Sequence, residues 1–354
     1  MFNLFVFILV FLLTAVLTEI VRRIAIYYKI VDKPGLLRKI HKKETPLLGG
    51  VAIFFVFFLI LYFFQEKVLI GDLNWNHWLG FFIGGMIIIV GGVFDDKYNV
   101  SPFKQMIFPV LAILAVLLGG IEIEKITNPL GGYVYLDNLQ FEFFDRVVFV
   151  VFSDIFLAMW LMGMMYTTKL LDGIDGLVTG VVGVGSLVTF IFTMTEKYYQ
   201  PDIGFAALVL TAACVGFLVF NFHPAKIFLG EGGSLFLGYA LGVLAIISGG
   251  KIAIAFLVMG IPILDVVWTI IRRLKAGVNP FKIADRKHLH FRLLDLGIGQ
   301  RNTVFIYYAL SFIFGMGAIF LQSTGKMLAI FFLIVLMIFT VYYLNYLEKN
   351  AQRN

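Results

Sequence analysis

The chain has 354 residues, of which 60% are hydrophobic, 16% aromatic and only 14% charged, and its mean hydropathy is +0.94. A soluble domain needs more polar surface than this, so the composition is typical of a helical membrane protein. In a soluble protein the net charge of +6 would suggest a nucleic-acid partner, but here it indicates membrane topology and we expect no nucleic acid.

Apolar windows of about 20 residues recur along the chain. The first, FNLFVFILVFLLTAVLTEIV, lacks a basic leader and a small-residue cleavage site, so we expect a retained helix. Cys214 is the single cysteine, lies in an apolar run and is expected to pack between helices. The eleven predicted membrane helices lie at 2–20, 47–64, 77–94, 104–122, 147–169, 176–194, 204–220, 234–249, 252–270, 302–321 and 327–345.

The connections between these helices differ in basic charge. Alternate connections, from 21–46 to the C-terminal tail, hold 22 of the 28 Lys and Arg residues, and the other connections hold 6. The positive-inside rule therefore predicts an N-terminus outside and a C-terminus in the cytoplasm. The outer loop 121–144 alternates around Asn-Pro and Gly-Gly and predicts an external β-hairpin. No repeat or linker interrupts the chain, so we expect one all-α transmembrane domain over 1–354.

Polar clusters with chemical character all fall in connections predicted to be cytoplasmic. Because the clusters share one side of the membrane, they predict a single active site at the cytoplasmic face. These loops lie near 21–46, 95–104, 169–176, 221–234 and 271–301.

Five acids stand at the ends of apolar segments, where an ionisable side chain is costly unless it is paired, metal-bound or facing water. Gathered together they would repel one another, and a divalent cation with basic neighbours would relieve the repulsion. Oxygen ligands without thiols favour Mg²⁺, or else Mn²⁺, over zinc. Each acid alone is equally well explained as a solvated helix cap. The five acids are Asp95, Asp96, Asp172, Asp175 and Glu231.

The spacing of these acids indicates separate roles. Asp95 and Asp96 are adjacent, so on a continuous helix their side chains diverge by about 100°. Asp172 and Asp175 are three residues apart and can share a helix face, beside glycines that admit a ligand. Glu231 lies in FLGEGGS, which predicts either a phosphate-binding helix N-terminus or a tight turn.

Basic residues in the same loops offer contacts for phosphate oxygens. His288 and His290 lie in a basic stretch with Arg292, and no further nitrogen or sulfur ligand accompanies them, so phosphate is favoured over zinc. Arg38 and His41 belong to a cluster that could bind anionic lipid headgroups. The alternative for both clusters is membrane topology alone.

The order of these motifs resembles the polyprenyl-phosphate N-acetylhexosamine-1-phosphate transferases. The matching stretches, in family order across 31–301, are DKPG, GGVFDDKYNVSPFKQ, LLDGIDGLVTG, FNFHPAKIFLGEGGSLFLG and ADRKHLHFRLLDLGIGQR. The resemblance implies an Mg²⁺-dependent enzyme of the bacterial inner membrane. Such an enzyme transfers a sugar 1-phosphate from a UDP-sugar to a polyprenyl phosphate and releases UMP. A homodimer is a further expectation from the family.

The span count and the sequence HLHFRL look more like the WecA/TagO branch of this family than the MraY branch. The WecA/TagO branch uses UDP-N-acetylglucosamine and undecaprenyl phosphate and starts O-antigen, enterobacterial common antigen and wall teichoic acid chains. The alternatives are another UDP-N-acetylhexosamine or, as in the MraY branch, UDP-MurNAc-pentapeptide.

The resemblance also implies roles for single residues. Asp95 matches the acid proposed to deprotonate the lipid phosphate, and Asp96 is its neighbour near the metal-bound diphosphate. Glu231 matches a metal ligand that is usually Asp, so Asp96 and Glu231 are the expected Mg²⁺ ligands. Asp172 and Asp175 match acids of the nucleotide site. Basic and sugar-side motif positions are matched by Lys104, Lys226, His288 and His290.

Three positions depart from the family pattern. Glu231 is one methylene longer than the usual Asp. The family has Asn-Ala-x-Asn before its DG motif, and one of these asparagines helps to bind Mg²⁺, but 166–169 reads Tyr-Thr-Thr-Lys. Lys169 could neutralise phosphate instead. Phe291 replaces the last histidine of HxHH, so sugar recognition could differ.

Two further alternatives concern mechanism and class. Direct attack by the lipid phosphate is the preferred mechanism, and a covalent phosphorylated Asp95 is the other. A secondary transporter is the alternative from another class, but transporters place acids near the membrane midplane on broken helices of repeated halves. Here the acids stand at helix ends and no repeat is visible.

Overall fold

The computed structural model describes residues 1–35, 43–71, 73–128, 131–137, 139–143, 147–249, 252–278 and 286–351. Within these residues the chain is mostly helical. The helices are α1 (Phe2–Tyr27), α2 (Gly49–Phe63), α3 (Gln65–Val68), α4 (Trp75–Tyr98), α5 (Pro102–Gln105), α6 (Ile107–Leu118), α7 (Val151–Leu171), α8 (Leu177–Thr193), α9 (Pro201–Asn221), α10 (Gly230–Ile247), α11 (Ile252–Val258), α12 (Gly260–Lys275), α13 (Leu289–Asp295), α14 (Gln300–Phe320) and α15 (Ser323–Ala351). The strands are β1 (Val31–Asp32), β2 (Thr45–Pro46), β3 (Lys125–Thr127), β4 (Tyr133–Tyr135), β5 (Gln140–Phe143) and β6 (Val147–Val150).

Each of the eleven predicted segments contains a helix. Among the described residues seven helices are long and apolar enough to cross a membrane, namely α1, α4, α7, α9, α10, α14 and α15. The pair α11 and α12 adds an eighth span if the two are taken together. The helices α2 and α8 and the segment Pro102–Leu118 are apolar but shorter. The chain is therefore consistent with a polytopic membrane protein, and eleven crossings with their sidedness stay a prediction.

Several predicted helix bounds are wrong, and the structure explains three of the differences. α1 continues to Tyr27, because Glu19 forms ion pairs with Arg22 (2.7 Å) and Arg23 (2.8 Å) along one helix face. α7 begins at 151 instead of 147, because residues 147–150 pair with β5 as β6. The segment 252–270 is two helices that bend by 77°. Pro262 lacks the N–H that would bond to residue 258, which explains why the helix breaks there.

A β-hairpin forms in the loop where the sequence predicts one. β3 and β4 are antiparallel, with Lys125 opposite Tyr135, and the N–H of Gly131 donates to the carbonyl of Asn128 at 3.0 Å. A second antiparallel pair, β5 with β6, was not predicted. The position of these strands outside the membrane stays a prediction.

α10 lies at the centre of the helices and is buried along nearly its whole length. Its first turn touches two neighbouring helices through glycine pairs. A Cβ on Gly50 of α2 would lie 2.0 Å from Cα of Gly233, and one on Gly92 of α4 would lie 2.1 Å from Cα of Gly232. Because small residues let helix backbones meet, α2 and α4 both reach the start of α10. This contact positions the polar residues described next.

Candidate active site

The adjacent aspartates of the last turn of α4 have different partners. α4 continues through both residues, so their side chains diverge as helix geometry requires. Oδ1 of Asp95 accepts hydrogen bonds from the N–H of Val100 (2.7 Å) and from Nε2 of Gln105 (2.9 Å). Oδ1 of Asp96 accepts from the N–H of Glu231 (3.0 Å). Asp95 thus faces the connection to α5, and Asp96 faces the start of α10.

The start of α10 has a glycine that leaves space for the carboxylate of Asp96. Gly230 has a φ of +75°, and a Cβ at this position would lie 2.3 Å from Oδ2 of Asp96. Any other residue would be strained and would displace the carboxylate. Glu231 follows in the first turn of α10, as the Gly-rich stretch predicts, and its charge is favourable near the helix N-terminus.

The ammonium of Lys169 links Glu231 to Asp95 through the side chain of Gln105. This ammonium forms an ion pair with Glu231 and donates a hydrogen bond to Oε1 of Gln105 at 2.9 Å. The side chains of Lys169 and Glu231 are 21% and 20% exposed. Gln105 donates in turn to Asp95, so a polar chain runs from Glu231 through Lys169 and Gln105 to Asp95. Gln105 was not predicted as a site residue, and only its proximity to Lys104 in the motif pointed to this position.

Asp172 and Asp175 lie in the turn between α7 and α8, so the expected shared helix face is wrong. The glycines of this stretch end the helix instead of opening one of its faces. Asp172 is exposed on this turn, and the negative charges of Glu231 and Asp175 raise its pKa above the ordinary value. Oδ2 of Asp175 lies 2.7 Å from Nδ1 of His223 and accepts from the N–H of Ala225 at 3.0 Å. Asp172 therefore belongs with Glu231, and Asp175 with the loop before α10.

His288 is held by a carboxylate that the sequence analysis missed. Nδ1 of His288 lies 2.8 Å from Oδ2 of Asp265 on α12, and Oδ1 of Asp265 accepts from the N–H of Leu289 at 2.9 Å. Asp265 and His288 are 3% and 4% exposed. A single acid inside the apolar stretch IPILDVVW is costly, and this was the signal that could have identified Asp265. The pair fixes the orientation of the imidazole.

His290 packs against the turn that carries Asp172. A Cβ on Gly173 would lie 2.5 Å from Nε2 of His290, and the rings of His290 and Phe291 are 4.3 Å apart. Burial lowers the pKa of His290 to about 3 despite the opposing effect of Asp265, so the imidazole is neutral. Neither ring nitrogen has a hydrogen-bond partner among the described residues. The HLH stretch thus reaches the acids by direct packing.

Among the described residues, several that were predicted to bind phosphate do not contact the acids Asp95, Asp96 and Glu231 in the structure. Lys104 is exposed on α5, and Lys226 is exposed with its ammonium 5.8 Å from the ring of Phe220. Arg292 donates to Oδ1 of Asn345 on α15 at 2.8 Å. Two further predicted residues lie outside the described residues, namely Arg38 and His41.

The predicted Mg²⁺ ligands Asp96 and Glu231 meet at the start of α10. No group of three or more His, Cys, Asp or Glu side chains in the described part of the chain could hold a metal ion. A divalent cation at Glu231 would also meet the ammonium of Lys169. Mg²⁺ therefore stays a prediction, and we assign no reaction step to it.

The chain is similar to known transferases over most of its length. Residues 78–249, which run from the first turn of α4 to beyond the end of α10, match the model of glycosyl transferase family 4. A probable undecaprenyl-phosphate N-acetylglucosaminyl 1-phosphate transferase of Bacillus subtilis is 32% identical, over 94% of this chain and 88% of its own length. A decaprenyl-phosphate N-acetylglucosaminephosphotransferase of Mycolicibacterium smegmatis is 27% identical over 87% and 79%. A phospho-N-acetylmuramoyl-pentapeptide-transferase of Pelagibacter ubique is 31% identical over 78% and 79%.

Proposed function

This chain belongs to the polyprenyl-phosphate N-acetylhexosamine-1-phosphate transferases of glycosyl transferase family 4, and we propose that it transfers N-acetylglucosamine 1-phosphate from UDP-N-acetylglucosamine to undecaprenyl phosphate. UMP is the second product. The observation that carries the proposal is the meeting of Asp95, Asp96 and Glu231 at one end of the helices, where Lys169 lies between them. Such a cluster can handle both the proton and the charge of a phosphoryl transfer.

The choice of donor rests on the relatives. The Bacillus and Mycolicibacterium proteins are named for N-acetylglucosamine phosphate transfer. The Pelagibacter relative is named for phospho-N-acetylmuramoyl-pentapeptide transfer, so UDP-MurNAc-pentapeptide is the second candidate donor. The 32% identity over 94% of the chain favours the N-acetylglucosamine donor.

The proposed mechanism is direct displacement at the sugar-bearing phosphorus of the UDP-sugar. An oxygen of the lipid phosphate attacks this phosphorus, the phosphoanhydride bond breaks, and UMP leaves with the bonding electrons. Asp95 accepts the proton of the lipid phosphate. Both hydrogen bonds to Asp95 from the described residues go to Oδ1, so Oδ2 is the oxygen left to take this proton.

We place the reaction at the cytoplasmic face of a bacterial inner membrane. The basic loops that flank the acids support this side, because a soluble UDP-sugar can reach it. The polyprenyl chain of the acceptor stays in the bilayer, and the product would initiate a cell-envelope glycan such as O-antigen or teichoic acid. We also propose that the protein forms a homodimer.

The test uses purified protein in detergent with undecaprenyl phosphate and, in separate reactions, each of several UDP-N-acetylhexosamines and UDP-MurNAc-pentapeptide. We expect UMP and a lipid-linked sugar from UDP-N-acetylglucosamine. A folded sample that forms no product from any donor refutes the proposal, and product from the pentapeptide donor alone refutes the choice of sugar.

The role of Asp95 has its own test. Asp95→Asn should fold normally and lose at least about a hundredfold in turnover, because general-base contributions are of this size. Near-normal turnover would remove Asp95 from the mechanism. Exchange of labelled UMP into the UDP-sugar without any lipid would instead support a covalent phosphorylated aspartate.

A further inference from the structure

We propose that the ammonium of Lys169 binds the diphosphate of the UDP-sugar and supplies positive charge that a divalent metal would otherwise have to supply alone. The inference rests on the proposed function and names the group that recognises the donor.

Lys169 is a cation that contacts Glu231 and, through Gln105, is linked to Asp95. It lies in the last turn of α7, and its ammonium contacts Glu231 of α10 and Gln105 of α5, so three helices hold it. Asp172 follows three residues later and is close enough to Glu231 for its pKa to rise. A diphosphate could not approach these carboxylates without a positive charge beside it. Lys169 provides that charge at a fixed place.

The ammonium has capacity for a further oxygen. A lysine ammonium carries three N–H donors. Within the described part of the chain Gln105 accepts one of them, the carboxylate of Glu231 pairs with the ammonium, and the ring of Tyr166 lies 5.6 Å from Nζ. A phosphate oxygen can therefore accept the third N–H, or replace Glu231, without loss of the contact to Gln105. Lysine acts as a point charge in such sites, which suits a diphosphate that moves during the reaction.

The same ion pair disfavours a divalent cation at Glu231. A carboxylate that binds Mg²⁺ holds it at about 2.0–2.1 Å, so the cation would lie next to the ammonium that Glu231 already binds. The two positive charges would repel each other at one carboxylate, which weakens the binding of the cation there. Because Lys169 is covalently attached and also anchored by Gln105, it is the charge that is always present.

Binding of UDP, the part that all candidate donors share, tests the inference without turnover. Purified protein in detergent is titrated with UDP by calorimetry, in EDTA and in Mg²⁺. We expect the wild type to bind in EDTA with a Kd within about threefold of its value in Mg²⁺. Lys169→Met should weaken binding in EDTA by at least about tenfold, since a charged hydrogen bond is lost. Lys169→Asn should bind only when Mg²⁺ is present.

Lys197→Met is the matched control. The ammonium of Lys197 lies 5.2 Å from the ring of Tyr198, a contact like that of Lys169, but α8 separates it from the acids. It should bind UDP as the wild type does. Thermal unfolding of each variant checks that the fold is retained, and the wild-type titration in EDTA needs no substitution at all.

Two results overturn the inference. One is a wild type that loses at least about tenfold in affinity when EDTA removes the metal. The other is a folded Lys169→Met that binds UDP in EDTA as the wild type does. Either result leaves the proposed transfer reaction standing, because that reaction is judged separately by UMP and lipid-linked product. A wild type that binds no UDP under either condition overturns both.

Discussion

The contact between Gly92 and Gly232 allows a sharp test of how the acids are held together. In Gly92→Ala the added Cβ would lie 2.1 Å from both Cα and N of Gly232, whereas ordinary contacts begin near 3.4 Å. The added Cβ is fixed to the helix backbone and the atoms it meets are backbone atoms, so no side chain can rotate away. α4 and α10 must therefore separate by about 1.3 Å, the difference between these two distances.

This displacement is large enough to break the link between the two helices. The hydrogen bond from the N–H of Glu231 to Asp96 is 3.0 Å long and would lengthen beyond hydrogen-bonding distance. Overpacking costs about 1–3 kcal/mol of unfolding free energy, which the helix propensity of alanine offsets by up to about 1 kcal/mol. Misplacement by about 1 Å can cost a hundredfold in rate. We expect activity to fall much more than stability.

Gly163→Ala is the control, because Gly163 lies within α7 and a Cβ there would meet no atom within 4 Å. Both variants are compared with the wild type by UMP release in detergent and by thermal unfolding. Gly163→Ala should match the wild type in both measurements. If Gly92→Ala also keeps wild-type turnover, the glycine contact does not position the acids and the reasoning is refuted.

Two other predictions concern the HLH stretch. Asp265→Asn keeps an acceptor for the N–H of Leu289 but removes the carboxylate from His288. Turnover should therefore fall roughly ten- to a hundredfold, and its pH profile should shift. An unchanged pH profile would limit Asp265 to a structural role. The pKa of His290 is about 3, below its ordinary value near 6.5, so protons bind preferentially to the unfolded chain. Its contribution to the free energy of unfolding is complete above pH 6.5 and is lost as the pH falls, by up to about 1.4 kcal/mol per pH unit. The melting temperature of His290→Gln should therefore fall less between pH 7 and 5 than that of the wild type. Equal slopes for the two proteins would contradict the burial of a neutral imidazole.

The helices could be located from sequence because burial in a bilayer imposes long apolar runs. All eleven predicted segments contain a helix. Their bounds were less predictable, since local interactions decide them. Ion pairs of Glu19 extend α1, strand pairing delays α7, and Pro262 divides the segment after α10. These effects depend on partners that an average over an apolar window does not detect.

The acids of the site could be named from sequence, but their partners could not. Position at a helix end identified Asp95, Asp96 and Glu231, and the divergence of adjacent side chains followed from helix geometry alone. The bridge through Gln105 could not be predicted, because residues 64 positions apart in the chain meet only after the helices pack. Asp172 and Asp175 were expected on one helix face. Their spacing fits a helix, but the glycines beside them also fit a turn, and the structure has the turn.

The central position of α10 also bears on how the protein responds to its bilayer. The apolar span of α15, Ser323–Leu347, has 25 residues and would be about 38 Å long, which exceeds a hydrocarbon core of about 30 Å, so the helix can tilt or extend into the headgroup region. Many side chains of α1 and α15 are exposed, whereas α10 is surrounded by protein. Changes in membrane thickness should therefore be absorbed by tilting of these outer helices. The spacing between Asp96 and Glu231 is set by touching backbones, so we expect turnover to vary little between thin and thick bilayers.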